Sequence, residues 1–171
     1  MLKMVYSLRE LNFSQLMDVY IEGNFKNGAE FYPFLSQQEQ LIRAEQDFYG
    51  FLEEFFRTSG AFYAVWEEKG TYLSALRMEP YRGGLLLEAL ETAPHYRRQG
   101  YGKKLMIAAL EAVSKENAVV VYSHVHKRNL PSLAIHQACG FSRVSENASY
   151  IDGSVTDRSC TLRWVSELWN G

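Results

Sequence analysis

Apolar residues fall along this chain in two rhythms. Short runs that alternate or run solid with β-branched and aromatic residues predict strands over residues 2–8, 61–66, 71–78, 85–92 and 118–125. Between them, apolar residues recur at helical spacing. Leu16, Met17, Tyr20 and Ile21 mark one stripe; Leu41, Ile42, Phe48, Leu52, Phe55 and Phe56 mark a second. A third runs through Leu105, Met106, Ala109, Leu110 and Val113. The run Ala118-Val119-Val120-Val121-Tyr122 is apolar on both sides, as expected of a strand buried on both faces.

Punctuation sets the boundaries. Asn12 is placed to cap the first helix, and Ser36-Gln37-Gln38-Glu39 is a capping box for the second. The segment 23–35 holds two glycines, two asparagines and Pro33, which predicts a loop. Glu67–Gly70 and Tyr81–Gly84 supply turns for an antiparallel meander. Asn129 caps a helix over 129–139, with Pro131 in its first turn and Gly140 just past its end. The tail reads as a further hairpin, 141–144 with 160–165, turning near Asp152-Gly153. The resulting order, β-α-α-β-β-β-α-β-α-β-β, predicts an α/β fold: one mixed sheet with helices on both faces, in a single domain over 1–171.

Composition narrows the function classes. Of 171 residues, 47% are apolar and 22% charged, the balance of an ordinary soluble globule. A net charge of −2 argues against nucleic acid or an anionic membrane as partner. Lys3, Arg9 and Glu10 interrupt the N-terminal apolar residues, so no signal-peptide core is expected there, and no run is long enough for a membrane span. Cys139 and Cys160 form no metal-spaced motif; as free thiols they suit a reducing, cytoplasmic setting.

The chemistry concentrates in LLLEALETAPHYRRQGYGKKLM, residues 85–106. A strand that stops before Pro94, a basic glycine turn and an amphipathic helix together aim unpaired first-turn N–H groups and a positive dipole end at one spot. That is an anion site, best suited to phosphate, and Gly100 and Gly102 leave room for close approach. Two rival motifs fail: Lys103-Lys104 does not complete a nucleoside-triphosphate loop, and Leu105 stands where a dinucleotide fingerprint needs its third glycine.

Arg97-x-x-Gly100-x-Gly102 resembles the acetyl-CoA signature of the GNAT superfamily of acyl-CoA N-acyltransferases. A second segment, Asn129-x-x-Ser132-x-x-Ile135-His136-x-x-x-Gly140-Phe141, is similar to that family's Asn-x-x-Ala/Ser-x-x-Leu-Tyr-x-x-x-Gly-Phe, with His136 in the usual tyrosine place. The resemblance implies a GNAT-like fold and acetyl-CoA as acyl donor. It implies that the backbone of Leu90, Glu91 and Thr92 would bind pantetheine where two strands splay apart. Arg97, Arg98, Gln99, Gly100, Tyr101, Gly102 and Lys103 would form the pyrophosphate cradle, and Asn129 and Ser132 would flank the pantetheine.

The implied reaction is direct attack of a neutral primary amine, from a small molecule or peptide, on the thioester. A lysine-like amine, of pKa about 10.4, must first lose a proton. Glu88 is the candidate base, a carboxylate alternating with Leu86 and Leu90 where apolar residues are expected. Its ordinary alternative is a solvated or salt-bridged glutamate. By resemblance His136 would protonate the leaving thiolate; otherwise it packs beside the cofactor. Phe31, Tyr32 and Phe34 are expected to border the acceptor pocket. The contrasting function is a non-catalytic acyl-CoA-binding module. No metal is expected, and a homodimer through the C-terminal hairpin is one arrangement left open.

Overall fold

The computed structural model describes residues 1–167. In chain order the elements are β1 (Leu2–Val5), α1 (Phe13–Val19), α2 (Ile21–Phe31), α3 (Gln37–Phe55), β2 (Phe62–Glu68), β3 (Thr71–Tyr81), β4 (Gly84–Thr92), α4 (Tyr101–Ser114), β5 (Val120–His126), α5 (Leu130–Ala138), β6 (Ser142–Ser145), β7 (Ala148–Ser149), β8 (Val155–Thr156) and β9 (Ser159–Val165). The main sheet is seven-stranded, in the order β1-β2-β3-β4-β5-β9-β6. β2, β3 and β4 form the expected antiparallel meander, whereas β4 and β5 run parallel because α4 crosses between them.

Each face of the sheet carries its own core. On one, Leu16 of α1 and Leu52 and Phe55 of α3 close over Val5, Tyr63, Tyr72 and Ala75. On the other, Leu105, Met106 and Ala109 of α4 pack on Ala64, Leu76, Leu87 and Val121. The caps form where their chemistry allows. The Asn12 side chain accepts from the Gln15 N–H, and Ser36 and Glu39 complete a reciprocal capping box.

Three expectations need correction. The segment 23–35 is mostly helix, because α2 runs through it to Phe31. Its glycines and asparagines are poor helix formers, and tertiary contact overrides them. At Gly28 the helix backbone meets α3, where a Cβ would stand 2.5 Å from the Gln40 carbonyl oxygen. Ile42 is exposed rather than inward; the buried stripe of α3 is Ala44, Leu52 and Phe55. The tail is more than one hairpin: β6 pairs with β9, but the chain between them folds into a separate β7–β8 ribbon around the Asp152-Gly153 turn.

Gly28→Ala should lower stability by about 1–3 kcal/mol, since the added methyl has only backbone to displace. Urea denaturation would read this as a lower midpoint at unchanged slope.

Candidate functional site

The site begins at a fork. β4 and β5 are in register only at Leu85–Val121, Leu86–Tyr122 and Leu87–Ser123. Beyond Leu87 the strands part, because β4 bulges: Ala89 takes a left-handed conformation, φ 52°, and pairing with β3 skips a residue there. The Tyr20 hydroxyl, kept protonated by burial, donates to the Ala89 carbonyl at 2.6 Å and holds the bulge. The bulge also breaks the expected alternation. Leu90 lies with Leu87 on the α4 side, so it does not share a face with Glu88.

On the α4 side the fork opens into a cavity of about 480 Å³. Leu90, Glu91 and Thr92 form one wall, Arg97, Arg98, Gly100, Tyr101, Gly102 and Lys103 the second, and Asn129 and Ser132 the third. Arg98 (φ 58°) and Gly100 (φ 82°) are both left-handed, which curls the loop into the start of α4. The first α-helical bond there runs from the Lys104 N–H to the Gly100 carbonyl, 2.9 Å. The N–H groups of Tyr101, Gly102 and Lys103 precede it and face outward from the helix end. A Cβ on Gly102 would stand 3.2 Å from the Thr92 hydroxyl, so helix start and strand end are closely seated. This is a cradle of the right charge and size for a pyrophosphate with an extended arm.

Not every expected residue turns a side chain toward the cavity. The Arg97 guanidinium donates to the Thr92 carbonyl at 3.1 Å and to Glu22 of α2 at 2.8 Å, fastening the loop to both. Gln99 is not among the lining residues; its amide donates to the His95 carbonyl at 3.2 Å. Asn129 both lines the cavity and caps α5, accepting from the Ser132 N–H at 3.2 Å.

His136 lies behind the wall rather than in it, at 2% exposure. Its Nδ1 is 2.8 Å from the Ser132 carbonyl oxygen and its Nε2 is 2.9 Å from the Ser123 hydroxyl. Burial holds the imidazole below its ordinary value, so it is neutral at pH 7. A carbonyl can only accept, so Nδ1 carries the proton and Nε2 accepts from Ser123. The ring ties α5 to β5.

Across the sheet, Glu88 sits one residue before the bulge. The Arg77 Nε donates to its carboxylate at 3.3 Å, with both side chains about one-fifth exposed (21% and 19%). Arg77 is in turn covered by Phe51, the ring centroid 4.6 Å away. Beside this pair lies Glu79, which the sequence reading passed over. Burial and then Glu88 push its carboxyl up to about 7. The spacing Arg77-x-Glu79 on a strand, facing Glu88, was the available signal. His124 borders the group from β5, its Nε2 2.9 Å from the Ser149 carbonyl oxygen and its Nδ1 3.0 Å from the Thr161 hydroxyl. Of the aromatic residues expected here, Phe31 lines a smaller cavity of about 200 Å³ with Asn24 and Phe51. The Tyr32 hydroxyl donates to Asp47 at 2.6 Å, and Phe34 is 99% exposed. Among the described residues no group of His, Cys, Asp and Glu could hold a metal ion, and no helix is long and apolar enough to cross a membrane.

The family model of the acetyltransferase (GNAT) family matches residues 24–141, and the chain belongs to that family. Its members are acetyl-CoA-dependent N-acetyltransferases, so this is an enzyme with acetyl-CoA as acyl donor. Solved structures similar in fold include the PaiA N-acetyltransferase of Thermoplasma acidophilum in complex with coenzyme A, at 14% identity and TM-score 0.63, covering 97% of this chain and 99% of that one. The ribosomal-protein-alanine N-acetyltransferase of Brucella melitensis aligns at 19% identity and TM-score 0.63, again over 97% and 99%. The ribosomal-protein-S18-alanine N-acetyltransferase of Escherichia coli aligns at 15% identity and TM-score 0.60, over 96% and 94%. No curated protein sequence matches significantly.

Two stability measurements check this geometry. His136→Phe should cost about 1–3 kcal/mol, because the buried Ser123 hydroxyl and Ser132 carbonyl lose their partner. Glu79 binds its proton more tightly folded than unfolded, so wild-type stability should fall as pH rises from about 4.5 through 7. Melting temperatures of Glu79→Gln should be flatter over that window.

Proposed function

We propose that the enzyme acetylates a primary amine of a small molecule or peptide, with the acceptor approaching from the α3 side of the fork. One observation carries this reading: Glu88 stands beside the bulge on the face opposite the phosphate cradle, so a proton acceptor and a thioester site meet at the same gap. Bound acetyl-CoA supplies an electrophilic thioester there. Tyr101, Gly102 and Lys103 receive its phosphates through N–H groups. The free strand end at Leu90, Glu91 and Thr92 would hold the pantetheine arm through its backbone, with Asn129 and Ser132 beside it.

Glu88, directly or through water, takes the proton from the acceptor. Removing a proton from an amine of pKa about 10.4 at pH 7 costs about 4–5 kcal/mol, so this is where the protein helps most. A thiol of pKa about 8.5 leaves tolerably without full protonation. His136, neutral and bonded at both nitrogens, serves this scheme by fixing α5 against β5. As a donor it would have to exchange its bond with the Ser132 carbonyl. Two free thiols, Cys160 buried, fit a cytoplasmic location. The exposed edge strand Ser142–Ser145 offers a surface for a homodimer, an arrangement that sedimentation as a monomer would end.

The defining experiment follows free thiol with acetyl-CoA and an amine panel of polyamines, amino-acid derivatives, aminoglycosides and peptides. Amine-dependent release is expected; release with no member of the panel would leave a module that binds acyl-CoA without transferring it. Gly100→Val should weaken coenzyme A binding more than Arg98→Ala, measured by calorimetry. The valine is forced into a left-handed conformation, at about 1–3 kcal/mol, and also distorts the cradle. The arginine contributes a partly solvated contact of about 1–2 kcal/mol. The reverse order would make the site a basic patch instead of a backbone cradle.

A further inference from the structure

We propose, building on the amine-acceptor reading above, that Glu79 and Glu88 act as one unit, holding a single shared proton at rest and selecting acceptors that arrive as primary ammonium ions. Arg77 and Glu79 leave β3 on the same face, two residues apart. Arg77 pairs across the ladder with Glu88, and Glu79 with Leu86, which makes Glu88 the diagonal neighbour of Glu79. One guanidinium therefore serves two carboxyl groups, and it bonds Glu88.

Among the described residues, Arg77 is the cation that acts on Glu79, while Arg82 reaches only as far as His124. From α3, Phe51 covers Arg77 with its ring. From β5, His124 is held below its ordinary value by burial, and both its nitrogens have partners. From β2, the buried Tyr63 hydroxyl lies against Arg77, close enough to it, Glu88 and Glu79 to feel their charge, and burial keeps it protonated. Tyr20 at the end of α1 bonds the Ala89 carbonyl and is neutral. With both carboxylates ionised, the Arg77–Glu79–Glu88 group carries +1 − 2 = −1; with a shared proton it is neutral. Burial first, and then Glu88 beside it, raises the Glu79 carboxyl to about 7, so its ionised form is disfavoured both by lost hydration and by a neighbouring carboxyl.

An ammonium ion satisfies the deficit. As it binds, the pair releases its resting proton to solvent; one N–H bond of the ammonium then breaks and that proton passes to the pair, which restores the resting state and leaves a lone pair on nitrogen. After the nitrogen bonds the acetyl carbon and the C–S bond breaks, a second nitrogen proton leaves toward the thiolate. Over a turnover the ammonium becomes an amide and loses two protons, one to the thiol product and one to water. Glu88, nearer the fork, contacts the acceptor. Glu79 is a positioning residue that acts through it.

The test uses the full-length enzyme labelled with carbon-13 at the glutamate carboxyls, without acyl donor. We expect one carboxyl titration near 7 that disappears in both Glu79→Gln and Glu88→Gln. Millimolar n-butylamine, charged throughout, should move that titration downward. Two titrations both below 5, or one that survives either substitution, would overturn the proposal. In turnover with an acceptor from the panel, Glu79→Gln should raise KM for the amine about tenfold and move the acidic limb of kcat/KM downward. Glu79→Asp should restore part of both. An unchanged limb with unchanged KM would also overturn it. Failure of every amine to release thiol would sink the transferase reading alone, since the carboxyl titration is read without turnover.

Discussion

One left-handed alanine sets the geometry of this enzyme. Ala89 (φ 52°) interrupts a strand that would otherwise continue pairing with β5. An alanine in that conformation costs about 1–2 kcal/mol, so the surroundings must hold it. They do so through the buried Tyr20 hydroxyl on its carbonyl and through β3 on its other side. Once the strand bends, its end lies free for a ligand to pair with, and the carboxylate just before the bend faces the opposite surface. The cavity beside α4 and the carboxylate on the opposite face are two consequences of the same residue.

The two sides differ in how their charge is arranged. On the cavity side, positive potential comes mainly from backbone: the N–H groups at the start of α4, reached across a loop with two left-handed residues. These dipoles are fixed by the fold and need no reorganisation when an anion arrives. On the opposite face it is side chains that matter. Arg77, Glu79 and Glu88 emerge from two strands, and one guanidinium lies against two carboxyl groups, one of them raised to about 7.

Most of the architecture was readable because the signals were local. The capping box at Ser36, the glycine loop at Gly100 and the Asn129 cap each specify structure within a few residues, and each forms as expected. What was hidden depends on contacts distant in sequence. The helix through Gly23 and Gly28 exists because α3 receives its bare backbone, which no propensity records. Leu90 changes face because of a bulge that an apolar strand pattern does not announce. Glu79 gains its character from Glu88 on the next strand, and His136 from a serine on β5. Motif spacing found the wall of the cavity, while the burial of His136 behind that wall required the packed structure.

The Arg97 clasp has a consequence for redesign. This one guanidinium holds the end of β4 through Thr92 and reaches across to Glu22 in α2. Helix α2 is therefore buttoned to the glycine loop that opens α4, which the proposal assigns to phosphate. Exchanging that helix for a relative's, in order to change the acceptor, would release Arg97 unless an acidic partner came with it. A chimera built without that partner would inherit a looser cofactor loop along with its new specificity.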